Sequence, residues 1–426
     1  MTVRATLSTL CVTAVFLASG LGWGVGETSA SSSWSAESCP TLREGSPEEL
    51  GLDSTPLVET ADRLRRWAEP ATGRPLFAGA AVLYAHQNVV LRRDSAGYAL
   101  RYADGEGREL PGEEQRPAGT GTVFDIASLS KLFTSVLVMR QVEEGALLLD
   151  APVSRYVPEF GDNGKERVTL RQLLTHTSGL EPFLPLWRDW PDRESRLRAV
   201  LAVRPQVPPG SAYVYSDLNM IALMVVLERV TGLPLDELLR RDVTEPLGLA
   251  GTGFRNADDP VGDVAATEYQ VVPARGMVHG EVHDENAWSL GGVSGHAGMF
   301  STIDDLAVFG QTMLNGGCYG GARILRPSTV RQMLTNHNDA FPSNPRGLGF
   351  ELDQPFYMGG LSGPLTAGHT GYTGTSLVLD PLSNSVVVLL TNRVHPSRDW
   401  GSINPARAAV SDALASVVGR GDGNSP

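Results

Sequence analysis

Two pairs of short, strand-like apolar runs stand at opposite ends of this chain, and any fold must bring them to terms with what lies between. Residues 80–83 and 89–91 flank a polar turn at 86–88, and residues 376–379 and 386–390 flank a turn at 381–385. Runs of this length bounded by turn residues read as strands. The stretch between the pairs has another texture. Beyond a polar, Gly/Pro-rich loop at 102–120, apolar residues recur at helical spacing over 132–144, 169–174, 218–230, 235–243, 306–314 and 329–334. Helical runs near 57–68 and 406–418 bracket the whole. Gly145 and Gly232 stop two of the helices, as glycine does where a chain leaves a helix left-handed. Strands from both ends with helices between them make an α+β plan. The expected fold is a central antiparallel sheet flanked by helices, with an inserted all-helical lobe over roughly 126–335. A cleft between two such parts is a natural ligand site.

The ends carry processing signals. Residues 1–30 have Arg4, an apolar charge-free stretch over 5–25 and small residues at 28–30, the pattern of a cleavable secretory signal. Gly20, Gly22, Gly24 and Gly26 argue against a retained membrane helix, so a secreted product without stable membrane insertion is expected. Residues 31–45 read as a linker, 46–418 as one folded domain, and 419–426 as a flexible tail whose Arg420-Gly421-Asp422 is a chance tripeptide. Cys11 leaves with the signal. Cys39 and Cys318 are available to pair in an oxidising compartment, and neither has a metal-ligand or thiol-activating spacing. Net charge is −13 with no basic cluster, so a groove that tracks nucleic-acid phosphates is excluded.

Of 35 basic residues only Lys131 and Lys165 are lysine, which makes a lysine at a demanding place informative. Ser128 and Lys131 form S-x-x-K at the opening of the 132–144 helix. Positions three apart share a helix face, so the ammonium reaches the hydroxyl, and the helix N-terminus favours an anion forming there. A serine is a weak nucleophile until a neighbour takes its proton. Tyr213-Val214-Tyr215-Ser216-Asp217 follows a Pro-Pro-Gly turn; a phenol near a cationic lysine can act as base and then acid, although a lone tyrosine is more often a core aromatic. Gly368-His369-Thr370-Gly371-Tyr372-Thr373-Gly374 leads into an apolar strand, and its glycines let another backbone approach closely.

In this order the three motifs resemble the serine β-lactamase and penicillin-binding-protein family, in its class C β-lactamase-like branch. The resemblance runs from about Leu52 to Val418. It includes Thr175-His176-Thr177-Ser178-Gly179-Leu180, Glu245-Pro246-Leu247-Gly248-Leu249 and Ala297-Gly298-Met299-Phe300-Ser301-Thr302. It implies an acyl-enzyme on Ser128, with Lys131 as proton acceptor, Tyr215 as acid/base and His369 filling the third motif. The N–H groups of Ser128 and Tyr372 would form the oxyanion hole. No cofactor or metal is implied.

Two positions depart from the β-lactamase pattern: Asp217 replaces Asn, and His369 replaces Lys. An anionic Asp donates no hydrogen bond to a substrate amide oxygen, and a largely neutral His anchors a carboxylate weakly. Both changes are similar to those in esterases and peptidases of the branch, and they point away from efficient β-lactam hydrolysis. Val282-His283-Asp284-Glu285-Asn286-Ala287, Gly295-His296-Ala297-Gly298 and Thr391-Asn392-Arg393-Val394-His395-Pro396-Ser397 are similar to a subgroup that includes N-acetylmuramoyl-L-alanine amidases of muropeptide recovery and a penicillin-binding periplasmic protein. That likeness implies His283, Glu285 and Arg393, beside Asp217 and Tyr372, as substrate contacts. On its residue type alone, Arg393 is equally suited to pairing with an Asp or Glu of the fold.

Two other readings compete with this one. A zinc site from His279, His283, Asp284, Glu285 and His296 needs a continuous helix to align imidazoles, and Gly276, Gly280, Gly291 and Gly292 break one. A non-catalytic binding relative should have lost Ser128, Lys131 or Tyr215, and all three are present. His176 is expected to satisfy backbone hydrogen bonds. The expectation is a secreted serine hydrolase acting on a small peptide, amide or ester. An amide in peptidoglycan-derived peptides, cut by a muropeptide amidase or a D-Ala peptidase, is favoured over a carboxylesterase substrate.

Overall fold

The structure is a computed structural model that describes residues 39–255 and 258–420. The expected signal at 1–30, the first part of the linker and residues 421–426 of the tail lie outside the described residues.

One antiparallel sheet organises the chain. Its strands are β1 (Arg43–Glu44), β2 (Gly79–His86), β3 (Val89–Leu100), β4 (Arg116–Pro117), β5 (Glu351–Leu352), β6 (Ala367–Thr370), β7 (Ser376–Asp380) and β8 (Ser385–Thr391). They lie in the order β1-β3-β2-β8-β7-β6-β5, with β4 on β3. The two ends of the chain meet at β2 and β8, paired from His86↔Ser385 to Ala80↔Thr391. Only β1 runs parallel to its neighbour.

Side chains alternate across a strand, and here both faces are buried. Along β8, Val386, Val388 and Leu390 enter one core while Val387 and Leu389 enter another. That second core is closed by α1 (Thr55–Ala68) and α5 (Asn404–Val417), through Leu57 and Leu64 and through Ala406, Val410 and Leu414. The first is closed by α2 (Ser130–Glu143), α3 (Asp217–Thr231) and α4 (Ile303–Leu314). Phe133 of α2 and Phe309 of α4 stack with centroids 4.2 Å apart. Every α2 residue from Ser130 to Met139 is buried, and the polar ones, Ser130, Lys131, Thr134 and Ser135, are each hydrogen-bonded, as buried polar groups must be.

Three sequence expectations change. β3 is much longer than residues 89–91, because its polar residues find partners: Arg92 pairs with Asp94 at 2.5 Å, and Arg93 reaches Glu44 and Asp304, each at 2.7 Å. The second half of the expected linker 31–45 is not a linker, since Cys39 is bonded to Cys318 with Cα atoms 5.8 Å apart and β1 is hydrogen-bonded to β3. The tail is pinned as far as Arg420, whose Nε lies 3.2 Å from Asp380.

Candidate active site

Ser128 sits on the single 3-10 turn Ala127–Leu129 that feeds α2. Ala127 before it takes φ +45°, a left-handed conformation that costs a non-glycine residue about 1–3 kcal/mol unless its surroundings enforce it. Asp125 does so: Oδ1 accepts the Ala127 N–H at 2.8 Å, while the Ser130 hydroxyl donates to the Ala127 carbonyl at 2.7 Å. Asp125 Oδ2 accepts the His283 N–H at 2.7 Å. Burial still pushes the Asp125 carboxyl above its ordinary range. From the other side the segment after β6 is sewn to the same turn, with Thr373 Oγ1 donating to Asp125 O at 2.7 Å and Thr375 Oγ1 to Ile126 O at 3.1 Å. A Cβ on Gly371 would stand 2.4 Å from Ile126 O, so the close approach requires glycine.

Lys131 is 1% exposed, and its Nζ meets Ser128 Oγ at 2.7 Å, Asp217 Oδ1 at 2.8 Å and His296 O at 2.9 Å, with the Tyr215 hydroxyl as a further partner. Burial opposes its charge, but Asp217 and Tyr215 outweigh burial and the ammonium is held above its ordinary range. Asp217, expected to touch substrate, is instead the counter-ion of Lys131. The His296 carbonyl is fixed in turn, because the ring bonds Asp284 Oδ1 and Ser294 Oγ, both at 2.8 Å. This Ser-His-Asp chain is not a second nucleophile site, since Ser294 is fully buried.

Tyr215 lies between layers. His176 stacks beneath it at 4.6 Å, and His176 Nδ1 accepts the Ser216 N–H at 3.0 Å, the backbone role expected of it. Burial pushes His176 well below its ordinary pKa. Burial also raises the Tyr215 phenol, against the opposing charges of Lys131 and Arg346. His369, expected among the catalytic groups, has both ring nitrogens engaged: Nδ1 donates to Thr370 O at 2.8 Å, and Nε2 accepts from Arg346 Nη2 at 3.0 Å. Burial drives its pKa down to about 4.

A cavity of about 620 Å³ is lined by Ser128, Tyr213, Tyr215, Glu351, His369, Tyr372, Arg393 and Arg407, among others. Tyr372 is half exposed, and its N–H has no acceptor among the described residues, as an oxyanion donor requires. Arg393 is not paired with a carboxylate among the described residues. It donates to the carbonyls of Tyr372 (3.0 Å), Arg398 (3.1 Å) and Gly401 (3.0 Å).

His283 and Glu285, expected as substrate contacts, do not line this cavity. His283 Nε2 lies 3.0 Å from Glu268, and both Glu268 and Glu285 hold Arg398, which does line it. Burial opposes the Glu268 charge, yet hydrogen bonds from His283 and Arg398 hold that carboxyl at about 2. The imidazoles of the zinc alternative diverge: His279 goes to Val264 O, His283 to Glu268 and His296 to Asp284.

Sequence reasoning missed Tyr213, Arg346 and Arg407. Arg346 approaches the site from far along the chain, and 33 arginines spread through the sequence give no pointer to it. Tyr213 was legible only as the neighbour of Tyr215.

A family model described as Beta-lactamase matches residues 64–412. An Escherichia coli (strain K12) protein named "Putative D-alanyl-D-alanine carboxypeptidase" is 33% identical over 399 residues, covering 86% of this chain and 88% of that one. The solved structure titled "EstCE1, a hydrolase with promiscuous acyltransferase activity" matches with TM-score 0.66 and 25% identity, over 85% of this chain and 99% of its own. One titled "A class C beta-lactamase" matches with TM-score 0.67 and 21% identity, over 88% and 99%, a likeness of fold. With the family model spanning most of the chain and the S-x-x-K serine at the cavity, this chain belongs to the β-lactamase family and is a hydrolase of that family.

Proposed function

We propose that this hydrolase is secreted and cuts an amide bond in peptides derived from peptidoglycan, releasing D-alanine from D-alanyl-D-alanine ends through an acyl-enzyme on Ser128. The observation that carries the reading is the 2.7 Å contact of Lys131 Nζ with Ser128 Oγ beside a cavity that also holds Arg393 and Arg407. Among the described residues Arg407 donates to Asn404 Oδ1 and to the carbonyls of Gly371 and Thr375. Burial and the neighbouring Arg393 charge push it down to about 10. Two cations with no carboxylate hydrogen-bonded to them among the described residues suit a substrate that brings its own carboxylate, and the name of the 33%-identical relative favours the same class. The bonded Cys39 and Cys318 fit an oxidising compartment.

In the proposed reaction Ser128 Oγ attacks the amide carbon and its proton enters the Lys131–Tyr215 pair. The carbonyl oxygen, now anionic, is held by the N–H groups of Ser128 and Tyr372. The pair returns the proton to the departing amine as the C–N bond breaks. Water then attacks the ester, loses a proton to the same pair, and Ser128 recovers it. Both members are protonated at rest, so one proton must leave the pair before attack, and rate rises with pH.

A carboxylesterase is the second reading. Asp217 faces Lys131 and offers no donor for a substrate amide oxygen, and EstCE1 is 25% identical. Wild type and Ser128→Ala are incubated with a pentapeptide ending in D-alanyl-D-alanine, an N-acetylmuramoyl-L-alanyl peptide and a p-nitrophenyl ester, and the products are weighed by mass spectrometry. Loss of one alanine by wild type alone is expected. Peptide release from the muramoyl substrate moves the assignment to an amidase, and turnover of the ester alone moves it to an esterase.

A further inference from the structure

The cavity wall formed by the third motif carries a histidine that has no ring nitrogen left for chemistry. Its positive charge comes from elsewhere. Arg346 is 2% exposed, donates through Nη2 to His369 and through Nη1 to Tyr213 Oη at 2.9 Å, and lies 5.4 Å from the Tyr215 ring centroid. Lys131 Nζ lies 5.1 Å from the same centroid. The phenol is thus flanked by two buried cations, each with a carboxylate: Lys131 has Asp217 at 2.8 Å, and Arg346 has Glu351 at the longer distance of 3.5 Å.

We propose that Arg346 is a positioning residue of the proton relay: it holds His369 as a neutral spacer and stabilises the Tyr215 phenolate that accepts the Ser128 proton. The inference rests on the serine-hydrolase reading. Once the Tyr215 proton has left to solvent, Oγ bonds to the electrophile, the Ser128 O–H breaks and its proton passes to the phenolate oxygen; the phenol later returns it to the leaving group or to solvent. A nearby positive charge lowers the cost of a phenolate.

The charges around Tyr215 leave this role to Arg346. Asp217 at the start of α3 is spent on Lys131 of α2. His176 below the ring and His369 at 6.0 Å are both pushed towards the neutral form, by burial first and then by Arg346 and Lys131. Around Arg346 itself lie Tyr213, Glu351 and the buried, un-ionised Tyr357.

The test is the rate at which an aryl fluorophosphonate labels Ser128 as a function of pH. It reads the base-assisted step without reference to the natural substrate. The rising limb is expected to move up by about one pH unit in Arg346→Gln, with roughly tenfold slower labelling at pH 7. It should stay in place in Arg346→Lys and in His369→Gln, whatever their rates. Glu351→Gln strips the countercharge from Arg346 and is expected to move the limb down; it decides the matter if Arg346→Gln does not fold. A limb unmoved in both charge variants, or displaced in His369→Gln as far as in Arg346→Gln, overturns the inference alone. A wild type that is never labelled at Ser128 overturns the serine-hydrolase reading and this inference with it.

Discussion

The Asp217 carboxylate lies 2.8 Å from the Lys131 ammonium, which lies 2.7 Å from Ser128 Oγ. A lysine so held donates to its serine and has no lone pair with which to take the serine's proton. Asp217→Asn removes the countercharge and keeps the shape. The rising limb of kcat/KM against pH is expected to move down by about one unit or more. A limb that stays where it was contradicts the counter-ion role.

Gly371 allows β6 to approach the Ser128 turn. In Gly371→Ala the new methyl meets Thr375 Oγ1 at 2.1 Å and Ile126 O at 2.4 Å, which displaces the Tyr372 N–H. Misplacement on the scale of an ångström costs on the order of a hundredfold in rate, and burst titration of the acyl-enzyme reads it. Gly363→Ala, with no neighbour nearer than 3.5 Å, serves as the control and should acylate normally.

Acid should weaken the fold through its buried histidines, His176 among them. Burial holds His369 at about 4 and His395 at about 3, against an ordinary 6.5. Between pH 6.5 and pH 5 the unfolded chain therefore takes up protons that the folded chain refuses, and stability falls as pH falls. The loss is up to about 2 kcal/mol for each histidine. Urea unfolding at pH 7 and pH 5 measures it, and equal midpoints contradict it. The Glu268 carboxyl, held at about 2, adds its loss only below this window.

Removing the disulfide should be costly. Cys39 and Cys318 are 279 residues apart in sequence, so the bond restrains a long loop in the unfolded chain, typically worth about 2–4 kcal/mol. Cys318→Ser should melt several degrees lower than wild type, and reductant should move only the wild type. Identical melting curves would rule the bond out as a restraint.

The parts of this site that a residue type and a short spacing define were legible in the sequence. Ser128 and Lys131 declare themselves by three-residue spacing at a helix start. Their third partner does not, because whether Asp217 faces substrate or lysine depends on how α3 docks. His283 and Glu285 read as binding groups only because the stretch around them is similar to that of a muropeptide-amidase subgroup; tertiary contact shows them gripping Arg398. The length of β3 was hidden because Arg92 and Arg93 look like loop until Asp94, Glu44 and Asp304 are placed beside them. Arg346 had no local signal, since a guanidinium becomes chemically special only when burial removes its water.

The pairing of β2 with β8 carries a consequence for how the protein comes into being. Each strand has a partner adjacent in sequence, β3 for β2 and β7 for β8, but the two hairpins cannot join until nearly the whole polypeptide has been made, and contacts of such sequence separation form slowly. The Ser128 turn, anchored through Thr373 and Thr375, waits for the same late segment. A nascent chain therefore passes through a long interval in which the nucleophile exists as a residue and its reactivity does not, and a truncated product would carry the S-x-x-K helix without an enzyme around it.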